Sequence, residues 1–160
     1  MGKNIMKKSF GIAVGMAALM AASAAQAADI KFVNIATAST AGSFYPSGIA
    51  IAQLITDKLP IRASAQSSAG SVENVDLLRN KEANIAMINN NVAIYATKGT
   101  KMFKGKAFKG LRILAPLFVN VDHVVVRKAA DIKSLADIRG KRWALGPPGS
   151  GTMLSNQSIL

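Results

Sequence analysis

The chain has 160 residues, with twenty Lys and Arg against eight Asp and Glu, a formal net charge of +12, one histidine and no cysteine. That composition excludes a disulfide framework, a thiolate metal site and a multi-histidine one, and its cation excess suits nucleic acid, an anionic membrane surface or acidic small molecules without choosing among them. The length allows one domain with a real core, or one domain and part of a second.

Residues 1–27 begin with Lys3, Lys7 and Lys8, continue through an uncharged, alanine-rich apolar stretch, and end in Ala25-Gln26-Ala27. A positive start, an apolar middle and small residues before a cut are the parts of a secretory signal, so cleavage is expected after Ala27 and the mature protein is expected in the periplasm. Removing the signal takes three lysines and no acid, which lowers the net charge from +12 to +9. Export also makes nucleic acid the weakest of the three partner classes.

From Asp29, the apolar residues Ile30, Phe32, Val33 and Ile35 predict a first buried strand. The small and hydroxyl-bearing loop Thr37 to Ser43 follows, then a helix with Pro46 in its first turn, an apolar stripe of Ile51, Leu54, Ile55 and Leu59, and a stop at Pro60. The unit then repeats. Ile61 to Gln66 alternates as a strand, Ser67 to Gly70 forms the loop, and Ser71 is the expected N-cap of a helix with Glu73 in its first turn and Val72, Val75 and Leu78 on its buried side. In a third unit, Ile85 to Ile88 is a short strand, Asn89-Asn90-Asn91 its polar end, and Val92 to Thr97 a short helix. Three β-loop-α units predict an α/β fold with a parallel sheet flanked by helices, whose loops emerge together at the carboxyl edge where such sheets bind ligands.

Between Lys98 and Arg112 the chain carries six basic residues, three glycines and no acid. Two readings stand here: a solvated loop pinned by Phe103 and Phe108, or a docking patch for an anionic surface. Leu111 to Asn120 and His123 to Val126 read as two further strands. Asp131 to Gly140 reads as a helix with Ser134 and Asp137 as a capping-box variant and Gly140 at its stop. Trp143 to Leu145 then opens a new strand that runs into Gly146 to Thr152, GPPGSGT, and a last helix.

GPPGSGT has the glycine spacing of a nucleotide phosphate loop, but no lysine stands between Gly151 and Thr152 and no acid-terminated strand follows, so nucleotide hydrolysis loses its chemical basis. A hydrolase triad has no G-x-S-x-G elbow, and the lone His123 reads as a structural residue beside Asp122. The stronger signal is positional. Thr37 to Ser43, Ser67 to Ser71, Asn89 to Asn91 and Gly146 to Thr152 are rich in hydroxyls, amides and glycine, and each precedes a helix N-terminus that favours an anion. Together they predict a metal-free polar cleft for a small carboxylate or zwitterion, walled by Phe44 or Tyr45.

TASTAGSFYPSG (Thr37 to Gly48), SSAGSVENVDLLRNKEANIAMI (Ser67 to Ile88) and IKSLADIRGKRWALGPPGSGT (Ile132 to Thr152) together resemble the TAXI family of solute-binding proteins, the periplasmic receptors of one class of TRAP transporter. The resemblance implies a type II periplasmic-binding-protein-like fold: two α/β lobes joined by crossover strands and closing on a ligand. Here lobe one would span residues 28–120, the crossover or hinge strand 121–131, and the beginning of lobe two 132–160. It implies no enzymatic activity and no cofactor. The implied partners are a small anionic ligand such as glutamate, glutamine or a 2-oxoacid, bound by a monomeric receptor, and the TRAP membrane permease that receives it. Carried over by position, Thr37, Ser39, Thr40, Gly42, Ser43, Tyr45, Gly70, Ser71, Asn89, Asn90 and Asn91 would face the ligand from lobe one, and Ser150, Gly151 and Thr152 from lobe two. Asn91 stands where the family usually has Asp, which removes a partner for a ligand ammonium and leans toward a plain carboxylate. Family members are longer, so a chain of this length is expected to bind weakly alone. An enzyme built on a binding-protein lobe and a basic interaction protein acting through Lys98 to Arg112 remain as alternatives from other classes.

Overall fold

The computed structural model describes residues 30–159; the export signal expected over residues 1–27, with its cut after Ala27, lies outside them. The three expected β-loop-α units are present in order. Strand β1 (Phe32–Ala36) leads to helix α1 (Phe44–Lys58), β2 (Arg62–Gln66) to α2 (Ser71–Arg79), and the short β3 (Ile85–Ala86) to α3 (Asn90–Lys98). All pairing is parallel and the strand order is β2-β1-β3, with Phe32 opposite Arg62, Ala36 opposite Gln66, and Ile35 opposite Ile85. The fold is therefore α/β, an open parallel sheet flanked by helices. The chain leaves β1 toward β2 and then returns past it to β3. That reversal makes the carboxyl ends of β1 and β3 the switch point of the sheet, the place where open α/β sheets in general bind ligands.

Alternation along β1 explains how the sheet is held. Val33 and Ile35 point to one face and join Ala52 of α1, with Ile51, Ile55, Ile61 and Ile85 packed around them. Ile35 is completely buried, and burial of a side chain of that size contributes about 1.5–3 kcal/mol. A second cluster, Val75, Val92, Ala96, Phe103 and Leu154, ties α2 and α3 to a final helix, α4 (Gly151–Ile159). The segment expected to open lobe two thus packs its Leu154 among the helices that follow β2 and β3.

Several local expectations are corrected. The stripe of α1 is rotated: Ile51 and Ile55 face the sheet, while Leu54 and Leu59 are exposed, because Gly48 and Ala52 set the close side. A Cβ at Gly48 would collide with the Thr37 methyl, so the helix approaches β1 at its smallest residue. Ser71 is the first residue of α2 rather than its N-cap. Gly70 holds the cap position at φ 117°, a conformation that excludes the expected serine.

No strand forms at residues 111–120, 123–126 or 143–145; the stretch instead carries 3-10 turns at Lys128–Ala130 and Leu135–Ile138. Ile113, Val119 and Val125 are 84%, 86% and 87% exposed. Apolar alternation makes a strand only when a neighbouring ladder satisfies its N–H and C=O groups, and among the described residues these segments have none. The expected helix at Asp131 to Gly140 shrinks to the Leu135–Ile138 turn, yet its signals are correct: Asp137 accepts hydrogen bonds from Ser134 N–H at 2.8 Å and Ser134 Oγ–H at 2.9 Å, and Gly140 takes φ 75° at the stop.

Candidate functional site

One buried side chain organises the carboxyl edge. Asn74, one turn into α2 and fully buried, donates from Nδ2 to the Thr37 carbonyl at 2.6 Å and the Met87 carbonyl at 2.7 Å, the residues following β1 and β3. Its Oδ1 accepts from Ser68 Oγ at 2.7 Å, just after β2. All three strand ends are thereby tied to one amide. Thr37, predicted to face a ligand, is instead buried and donates to the Gln66 carbonyl at 2.6 Å, so it works inside the sheet edge. The apolar stripe of α2, Val72, Val75 and Leu78, does not mark Asn74. The available signal was its helical spacing, three residues after Ser71 and one before Val75, which places an amide on the buried side.

Above that staple, three helix N-termini meet. The loop Gly146 to Ser150 brings the Gly149 carbonyl onto the first turn of α2, where it accepts from Val72 N–H at 3.0 Å and Glu73 N–H at 3.4 Å. Ser71 Oγ accepts from Asn89 N–H at 3.0 Å, linking the starts of α2 and α3, and Asn91 Nδ2 donates to Ser155 Oγ on α4 at 3.3 Å. Ser150 Oγ donates to the Pro147 carbonyl at 2.7 Å and accepts from Met153 N–H at 3.1 Å, the bond of an N-cap on α4. The approach is close at two glycines. A Cβ on Gly151 would stand 3.0 Å from Ser71 Oγ and closer still to Asn89 Nδ2, and one on Gly70 would stand 3.4 Å from Ser150 Cα.

The structure thus gathers Gly70, Ser71, Asn89, Asn91, Ser150 and Gly151 into one cluster. Asn90 sits at its rim, exposed, with Oδ1 accepting the Asn91 N–H, and Thr152 is exposed on α4. The first loop contributes less. Ser39 spends its oxygens on its own turn, accepting from Ala41 N–H and Gly42 N–H, while Thr40, Gly42 and Ser43 are exposed. Tyr45 is half-buried in α1, and its neighbour Phe44 packs edge-on against Phe118, ring centres 5.9 Å apart. Asn120, which the sequence reading did not single out, donates to Asn89 Oδ1 at 2.8 Å.

Each of the three helix starts carries roughly half a positive charge, and three such ends side by side repel unless something negative lies between them. Two groups of the chain itself answer this. Gly149 supplies its carbonyl to α2, and the Glu73 carboxylate accepts Ala69 N–H at 2.7 Å. A separate cavity of about 570 Å³ is lined by residues including His123, Arg127, Lys141, Arg142 and Trp143, whose buried Nε1 has no hydrogen-bond partner among the described residues. It contains none of the cluster residues; its walls come from His123 to Val126 and Trp143–Ala144, which form no strand, together with neighbouring loop residues and Asn156 of α4.

An open parallel sheet flanked by helices, with the N-termini of α2, α3 and α4 meeting at its switch point, is the architecture of a binding-protein lobe. Residues 35–160 match the profile of the NMT1-like family, and the chain belongs to that family, a binding-protein family associated with periplasmic solute-binding proteins.

Proposed function

We propose that the protein is an extracytoplasmic receptor of the TAXI type that captures a small carboxylate between two lobes and hands it to a TRAP-type membrane permease, without catalysis. The observation that carries this reading is the meeting of the α2, α3 and α4 N-termini at the carboxyl edge of the β1–β3 switch point. Backbone N–H groups there bind a carboxylate through charge-assisted hydrogen bonds. Residues 28–120 would form lobe one, 121–131 the hinge and 132–160 the opening of lobe two, and Gly70, Ser71, Asn89, Asn91, Ser150 and Gly151 the jaws. The ligand carboxylate would take the place of the Gly149 carbonyl on α2, so binding would be coupled to movement of the GPPGSGT loop.

The test is nuclear magnetic resonance with 2-oxoglutarate, glutamate and the neutral glutaramide at millimolar concentration, where weak binding is still visible. The acids should shift the amide signals of Val72, Glu73 and Gly151 in a saturable way, and the diamide should not. Equal shifts from acid and diamide, or no shifts at these amides with either acid, overturn the reading.

A further inference from the structure

The loop from Lys98 to Arg112 carries chemistry that the carboxyl-edge site does not use. Lys98, Lys101, Lys104, Lys106, Lys109 and Arg112 stand in fifteen consecutive residues without an acid, five of them exposed lysines and Arg112 exposed as well. Among the described residues the ion pairs are Arg79–Asp76 and Lys133–Asp131, so none of the six is neutralised by a neighbour.

The loop is also held in shape. Phe103 is buried with Val75, Val92 and Ala96, and Phe108 packs against the same cluster. The Arg79 guanidinium lies over both rings, 5.9 Å and 5.6 Å from their centres, and donates to the Lys106 carbonyl at 2.8 Å. Phe108 N–H donates to the Ala96 carbonyl at 2.8 Å, which ties the far side of the loop back to α3. A basic segment that is merely solvated has no need of a buried and a half-buried aromatic pin and a stacked guanidinium. Here they fix the backbone while leaving every ammonium outside, with Met102 40% exposed among them.

We propose that this loop is a docking surface for an anionic phospholipid bilayer. The surface of such a membrane attracts each nearby lysine or arginine without requiring a particular geometry, as six flexible side chains on a rigid base would exploit. An exposed thioether amid ammonium groups suits the headgroup boundary, where a short apolar side chain enters while the charges remain in water. An acidic protein partner calls for a fixed set of donors matched to its carboxylates, whereas the five lysine ammonium groups stand on long flexible stems that no ion pair among the described residues holds in place. This surface does not depend on the identity of any ligand at the carboxyl edge, and the two readings can fail separately.

The test is co-sedimentation of the chain as recovered from an expressing cell, with its N-terminus fixed by mass and identical in all samples. The vesicles are purely zwitterionic phosphatidylcholine or contain about a third phosphatidylglycerol, at several salt concentrations. The parent should bind the anionic vesicles far better than the zwitterionic ones, and lose that binding as salt rises. Replacing Lys101, Lys104, Lys106 and Lys109 by glutamine should weaken partitioning at least about tenfold, the additive expectation being larger. A charge-matched control, Lys31, Lys58, Lys128 and Lys141 to glutamine, should weaken it by less than about threefold. Equal losses in the two variants, parent binding to both vesicle types alike, or retention only on an acidic polypeptide matrix would overturn the proposal. If the fourfold variant fails to fold by circular dichroism, the single changes Lys101→Gln and Lys106→Gln decide by the same comparison against Lys58→Gln and Lys141→Gln.

Discussion

Replacing Asn74 by alanine tests the claim that one buried amide sets the carboxyl edge. The side chain is fully buried and makes three short hydrogen bonds: to the Thr37 and Met87 carbonyls at 2.6 and 2.7 Å, and from Ser68 Oγ at 2.7 Å. The Thr37 carbonyl would keep a partner, since Ser68 Oγ–H also reaches it at 3.1 Å. The Met87 carbonyl would lose its only side-chain donor among the described residues. At about 1 kcal/mol for each lost bond, and a further ~1 kcal/mol for a buried carbonyl left bare, the variant should lose about 3–4 kcal/mol. For a domain whose whole stability is about 5–15 kcal/mol this is a large share, and the urea midpoint followed by far-UV circular dichroism should fall by about 1–3 M. Asn74→Asp gives an independent reading at equal volume. It turns a pair of N–H donors into a carboxylate facing two carbonyl oxygens, which raises the folded-state pKa of the new acid. Its stability is therefore greatest below the unfolded value of about 3.9 and is lost as pH rises through the folded one. The Asp variant should lie closer to the parent in acid than at neutral pH. A midpoint for Asn74→Ala within about 0.3 M of the parent, or an Asp variant whose deficit does not change with pH, would refute the role given to Asn74.

Gly151→Ala places a methyl against Asn89 Nδ2 and Ser71 Oγ, so it should cost about 1–3 kcal/mol. Undocking of α4 would show as faster hydrogen exchange at Val72 and Glu73, whose N–H groups are covered by the Gly149 carbonyl. Asp137 is held below its ordinary carboxylate range by the Lys133 backbone N–H first, then by the Ser134 hydroxyl and N–H. Its contribution to the Leu135–Ile138 turn is therefore present above the unfolded value of about 3.9 and lost as pH falls through the folded one. Titration followed at the Ser134 amide should show a midpoint below that of an aspartate that accepts no such hydrogen bonds, and Asp137→Asn should abolish the transition.

How far the sequence revealed this arrangement depended on whether a signal was local. The three β-loop-α units were legible because each strand is a run such as Phe32 to Ile35 and each helix carries local boundary signals, such as Pro60 after α1, that place it to within a residue or two. The Ser134–Asp137 box and the Gly140 stop were read correctly for the same reason, although the helix between them reduced to one turn. The strands expected at Leu111 to Asn120 and His123 to Val126 were not legible. Their alternation was real, but a strand is a property of two segments, and nothing in a single segment reports whether its partner is beside it. Asn74 was hidden by the opposite difficulty. Its neighbours Val72 and Val75 carried the helical stripe, while its own purpose exists only where the ends of β1, β2 and β3 have already converged.

The candidate site divides along the same line. Polar loops ahead of helices could be recognised one at a time, and six of their residues do come together. What no single loop could disclose is that one would serve another: the GPPGSGT backbone supplies the Gly149 carbonyl that satisfies the α2 N-terminus after Ser67 to Gly70. A helix end already satisfied by a neutral carbonyl binds an anion only by exchange. The gain is then the difference between a carboxylate and a carbonyl on the same two N–H groups. Charge-assisted hydrogen bonds are roughly twice as strong as neutral ones, so the exchange is favourable while remaining modest. That is the energetic form a reversible carrier requires: on the reading proposed above, the loop caps the site when no ligand is there, and a carboxylate displaces it without leaving any N–H group bare in either state.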